Sequence, residues 1–112
     1  MSGYYEPASE LDKKTRALSH GLNSLMEELE AIDYYNQRAS TCSDPELRSI
    51  MEHNRDEEIE HAVMAIEWLR RNMDKWDDNL REFLFTTAPI TQIEDAGAGA
   101  EKADGSLGLG KL

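Results

Sequence analysis

Two long apolar stripes, separated by one break, limit what this chain can fold into. Leu11, Leu18, Leu22, Leu25, Leu29 and Ile32 mark the first stripe. From Leu18 onward its steps run four, three, four, three, the repeat of a helix packed along a coiled-coil-like seam. This predicts a first helix over about residues 9–39, with Gly21 as its weak position. Residues 40–45, Ser-Thr-Cys-Ser-Asp-Pro, break the pattern. Asp44 is suited to cap a new helix with Pro45 at its first position. The second stripe, Leu47, Met51, Ala62, Ala65, Leu69 and Met73, predicts a helix over about residues 45–73. A shorter stretch with Trp76, Leu80 and Phe83 predicts a third helix over about residues 74–83.

Each long helix spans about thirty residues, or about 45 Å. Joined by so short a turn, the two must run antiparallel. A lone hairpin buries only the seam between its helices and leaves the outer part of each stripe wet. The chain has 112 residues and one cysteine, Cys42, so no internal disulfide can staple it. The expected fold class is therefore all-α: a two-helix antiparallel hairpin plus a short third helix. Two copies then pair about a two-fold axis into a four-helix bundle. Residues 1–8 read as a flexible N-terminus and residues 9–92 as the helical domain. Ala88, Pro89 and Ile90 read as a helix stop, and residues 93–103 as a disordered linker rich in Ala, Gly and acidic residues. Residues 104–112 form an apolar tip in which Leu107 and Leu109 alternate with glycine.

Charge narrows the function. Twenty-three acidic residues against twelve basic ones give a net charge of -11. Such a surface repels phosphate backbones and anionic lipid, so neither nucleic acid nor membrane is an expected partner. Cations are. The single cysteine fits a reducing compartment such as the cytoplasm, and the first residues show no apolar signal segment.

Glu58 interrupts the second stripe. At 100° per residue it lies within about 20° of Leu47, Met51, Ala65 and Leu69, in the middle of the apolar face. His61 follows three residues later, about 60° to one side. A carboxylate so placed needs a partner, and a metal ion held by Glu58-x-x-His61 supplies one. On the first helix Glu28 lies between Leu25 and Ile32, with Tyr35 almost in line two turns on. Glu28 and Glu58 are roughly equidistant from the turn, so the hairpin should bring them to one level. One chain then offers two carboxylates and an imidazole, and two chains offer four Glu and two His, the ligand set of a di-iron carboxylate bundle. Hard oxygens with one imidazole per metal suit iron or manganese. Tyr35 is either core or a hydroxyl that orients a ligand. Glu27, Glu30 and Tyr34 cluster one turn away, and His53, Glu57 and Glu60 share another face. Spacing alone leaves both groups open, as cation sites or as solvated helix faces.

The segments 26–38 (MEELEAIDYYNQR), 53–62 (HNRDEEIEHA), 67–72 (EWLRRN) and 85–91 (FTTAPIT) resemble the encapsulated ferritins, a likeness covering about residues 15–92. The resemblance implies a half-ferritin whose dimer rebuilds a ferritin-like four-helix bundle and whose dimers close into a ring-shaped decamer. It implies that Glu28, Glu58 and His61 are ferroxidase ligands with Tyr35 beside them. By the same likeness Glu27, Glu30 and Tyr34 match a site where iron enters, and His53, Glu57 and Glu60 an outer metal site. Tyr34 stands where the family pattern has tryptophan. Residues 104–112 resemble an encapsulin targeting peptide, with Lys111 in place of a small residue. The implied activity is oxidation of Fe(II) to Fe(III) by dioxygen, supplying iron for storage inside an encapsulin nanocompartment. The competing expectation is a non-catalytic metal-binding cargo protein.

Overall fold

The computed structural model describes residues 3–104, with side chains through residue 97. Among these residues the secondary structure is entirely helical. A 3₁₀ turn at Ala8–Glu10 precedes α1 (Lys13–Thr41), α2 (Pro45–Asn72), α3 (Trp76–Phe83) and α4 (Ile90–Asp104). The chain divides into two units, one ending at Asn72 and one beginning at Met73. No described helix is long and apolar enough to cross a membrane.

The first helix starts later than its stripe implies. The Asp12 carboxylate accepts the Thr15 N–H at 2.7 Å, capping α1 at its first turn. Leu11 therefore lies outside the helix, held by an N–H bond to the Ala8 carbonyl at 3.2 Å. Between α1 and α2 the sequence expectation holds. Asp44 accepts the N–H groups of Glu46 and Leu47 at 2.9 and 3.3 Å, and Pro45 opens α2. Arg48 reaches back to the Cys42 carbonyl, with Nη2 at 2.7 Å, and ties the turn to the first turn of α2.

α1 and α2 pack against each other as an antiparallel hairpin. Its core is thin. Leu25, Ala39, Ala62 and Leu69 are the buried apolar side chains, and Leu69 alone is fully enclosed. Trp68 lies across Gly21: a Cβ built at Gly21 would stand 2.5 Å from the indole. The glycine that looked like a helix weakness is the notch that admits this ring. Arg55 crosses between the helices, donating from Nη1 to Asn36 Oδ1 at 3.1 Å. Much of each stripe stays uncovered. Leu29 is 52% exposed and Leu47 46%, and Met26, Ile59, Val63 and Met64 are exposed as well.

In the second unit, Lys75 takes a left-handed φ of 80° just before α3. That turn separates α3 from α2, so the third helix begins at Trp76 and does not prolong the second. α4 differs from the disordered linker expected over residues 93–103. The Pro89 carbonyl, instead of ending helix formation, accepts the Ile93 N–H at 3.2 Å and starts a new ladder. The alanines that follow favour helix strongly enough to carry it past Gly97 and Gly99. A side chain at Gly97 would meet the end of the flexible Glu82 side chain, which would have to swing aside. Residues 105–112, most of the expected docking tip, lie outside the described residues.

Leu69→Ala should lower stability by about 2–5 kcal/mol, because so thin a core cannot collapse around the cavity. Asp12→Ala should cost about 1 kcal/mol through the lost cap. Denaturation midpoints at one fixed protein concentration measure both.

Candidate metal centre

The antiparallel packing carries α1 up as it carries α2 down, and midway along it Glu28 meets Glu58 and His61. One ligand atom from each lies within 4.8 Å of the other two. His61 Nδ1 stands 3.4 Å from Glu58 Oε1 and 3.8 Å from Glu28 Oε2. The three-residue step along α2 puts His61 beside Glu58, and the register of the hairpin brings Glu28 to them. Among the described residues no other group of three or more His, Cys, Asp or Glu side chains comes this close together.

The cluster is half open. The Glu28 and Glu58 side chains are 27% and 24% exposed, and His61 is 44% exposed. The expectation of a carboxylate sunk in an apolar face is thus met only in part by a single chain. One side of the three ligands faces outward.

The electrostatics are those of two acids close enough to shift one another. Glu28 is pushed above the ordinary glutamate range, chiefly by its hydrogen bond with Glu58, then by partial burial and by the Glu58 charge. Glu58 is held below that range, chiefly because it accepts the bond from Glu28, with His61 adding to the effect. The opposite shifts mark two carboxyls close enough to act on one another, Glu28 being the one that protonates first as pH falls. A cation would satisfy both oxygens and the imidazole nitrogen at once. Two hard carboxylates with one imidazole suit iron or manganese and are unlike a closed structural zinc site.

The other residues singled out from sequence fall around this cluster. Tyr35 is half-buried, and its ring lies under the Arg38 guanidinium at 5.6 Å; its hydroxyl makes no hydrogen bond to the three ligands. Arg38 also covers the Tyr34 ring at 6.0 Å, a double contact that spacing did not single out although the i, i+3 and i, i+4 steps were visible. Tyr34 donates to Glu30 Oε2 at 3.4 Å on the exposed side of α1. Glu27 is exposed next to Glu28 and adds to the upward push on it. His53 Nε2 lies 3.5 Å from Glu57 Oε2, while Glu60 is exposed and is not drawn into a cluster with them. Arg55, Asn36, Gly21 and Trp68 were not read as functional, since no pattern within one helix reveals a contact across two.

Comparison with known proteins places this geometry. Residues 3–87 match the family described as EncFtn-like. A "Ferritin-like protein" of Thermotoga maritima is 54% identical over 110 residues, covering 97% of this chain and 96% of the relative. An "Encapsulated ferritin-like protein" of Rhodospirillum rubrum is 49% identical over 120 residues, covering 96% and 86%. A crystal structure of a protein from Nitrosomonas europaea superposes with a TM-score of 0.77 at 52% identity, over 80% of this chain and 98% of that one. The matched region contains α1, α2 and α3 whole, together with all three clustered ligands, and so the chain belongs to the EncFtn-like family, the encapsulated ferritins.

Proposed function

We propose that this protein is a ferroxidase that oxidises Fe(II) to Fe(III) with dioxygen at a di-iron site formed across a subunit dimer. The observation that carries the reading is the convergence of Glu28, Glu58 and His61 within 4.8 Å, in a family whose ferritin-like character ties it to iron. The open side of that cluster supports a shared site. Two hairpins facing each other pool four carboxylates and two imidazoles around a pair of iron ions, which here are substrate. In that arrangement Glu28 would bridge the two ions, Glu58 would chelate one, and His61 would complete its coordination. Each Fe(II) gives one electron. With two protons, the pair takes one dioxygen to the level of hydrogen peroxide. The ligands are oxygen-rich and partly exposed, which suits ions that must leave once oxidised. Glu27, Glu30 and Tyr34 are assigned to guiding cations inward, His53, Glu57 and Glu60 to an outer metal site, and Tyr35 to flanking the ligands.

Pairing of two hairpins also covers the apolar side chains that one chain leaves wet, Leu29 and Leu47 among them. Dimers of this kind are assigned to a ring-shaped decamer. The relative named an encapsulated ferritin-like protein supports an encapsulin compartment as the location, with residues 104–112 docking to the shell protein and the ferroxidase supplying oxidised iron for storage there. A second reading rests on the same triad. A single chain already offers three ligands to one ion, which would suffice for a metal-binding cargo protein without turnover.

Anaerobic Fe(II) loading followed by air separates the two readings. A ferroxidase gives rapid colour from oxidised iron pairs, and a cargo protein gives only the slow background. Glu58→Ala should abolish the fast phase in a protein that stays helical by circular dichroism. A wild-type rate in that variant would remove Glu58 from the site. Binding should also depend on pH. Metal competes with protons for Glu28, whose carboxyl is held above the usual glutamate range, so anaerobic affinity should fall as the solution is acidified, with proton release on binding in acid. Calorimetry in buffers of different ionisation enthalpy measures both.

A further inference from the structure

The three ligands of the metal centre belong to two helices joined by little buried surface. Near the centre the core consists of Leu25 and Ala62. Glu28 and Glu58 add a pair of acids that repel whenever both are ionised. Something must hold α1 and α2 in the one register that makes the centre. A slip of one helical turn is about 5.4 Å, larger than the 4.8 Å spread of the ligand atoms. The register therefore decides whether there is a site at all.

Two contacts across the hairpin bracket the centre. On the side away from the turn, the Trp68 indole seats over Gly21, where even a methyl group would stand 2.5 and 2.8 Å from two ring carbons. Gly21 lies seven residues before Glu28, and Trp68 seven residues after His61. Both offsets are two turns, about 10 Å along the axis. On the turn side, Arg55 donates to Asn36 across the hairpin at 3.1 Å, and its Nε donates to Asp56 Oδ1 at 3.0 Å. Arg55 stands one turn before Glu58, and Asn36 two turns beyond Glu28. One contact is a ring in a notch, which resists sliding by shape. The other is a directed bond from a planar guanidinium, on a side chain 28% exposed, to Asn36 on the exposed side of α1.

We infer that Gly21 with Trp68, and Asn36 with Arg55, are positioning residues for the metal centre: a shape lock and a polar lock that set the helix register in which Glu28, Glu58 and His61 meet. The inference rests on the reading of that triad as a metal site. It also gives the glycine inside α1 a role. At an unconstrained helical position alanine would be the better residue. Here its Cβ would drive the indole out of the notch.

The test uses the full chain and Co(II), which does not oxidise in air and whose visible absorption reports coordination. Gly21→Ala should remain as helical as wild type by circular dichroism. It should bind Co(II) about tenfold more weakly, with an altered spectrum, in the range typical for disturbing groups behind a metal ligand. Adding Trp68→Leu to Gly21→Ala removes the clash but also the ring that fills the notch, so affinity and spectrum should recover only in part. Asn36→Leu should weaken binding similarly, whereas Asn36→Asp keeps an acceptor for Arg55 and should bind like wild type. In Fe(II) oxidation the two disruptive variants should raise KM and lower kcat together, while leaving the ligands themselves in place. Wild-type Co(II) affinity and spectrum in Gly21→Ala would overturn the shape lock, as would a double variant no better than the single one. If Gly21→Ala does not fold, the Asn36 pair decides, and wild-type binding by Asn36→Leu overturns the inference. Wild-type protein that binds no Co(II) at the triad would overturn the metal-site reading, and this inference with it.

Discussion

Glu28 and Glu58 face each other across a hairpin whose core is too thin to force two like charges together. In the metal-free chain that conflict shows as opposite shifts, Glu28 above and Glu58 below the usual glutamate range. A cation would resolve it, since it would satisfy both carboxylates and His61 at the same time. The rest of the molecule can be understood as the apparatus that holds this pair at one level. The capped turn at Asp44 and the Arg48 bond to the Cys42 carbonyl fix where α2 begins relative to the end of α1. The Asn36–Arg55 bond and the Trp68 ring over Gly21 carry that register along the helices.

The same economy leaves the hairpin incomplete. Apolar residues on a helix surface stabilise only when something covers them. In this chain Leu29, Leu47, Ile59 and Val63 lie on the outside. The metal ligands are open to one side as well. One partner surface would answer both conditions, and a second copy of the hairpin offers it with the right chemistry. Stability and activity would then be linked, because the event that buries the stripes also completes the ligand set.

Much of this was legible from residue spacing. The stripes at three- and four-residue steps, the Asp44–Pro45 start and the interruption of the second stripe by Glu58 pointed to the helices, the turn and the side chains that cluster. Equal distance from the turn placed Glu28 opposite Glu58, and the structure has them there. Ends were less legible. The N-terminal stripe includes Leu11, but Asp12 is the stronger signal, because a side-chain bond to Thr15 N–H satisfies a donor that a continuing helix would leave free. Pro89 read as a helix stop, yet it also begins helices, and the alanine content downstream favours the second role.

What the sequence determined by itself was local and periodic: which segments coil, where the chain turns, and which side chains share a helix face. These follow from backbone geometry and from the pairing of near neighbours, so residues a few positions apart suffice to reveal them. Tertiary structure alone decided the meetings across the hairpin. Gly21 looked like a flaw until Trp68, 47 positions later, was seen lying in it. Asn36 and Arg55 carried no signal until the helices were laid side by side. The opposite shifts of Glu28 and Glu58 likewise depend on a distance between two helices. Contacts of this kind are set by register, and register is a property of two packed surfaces that neither helix contains alone.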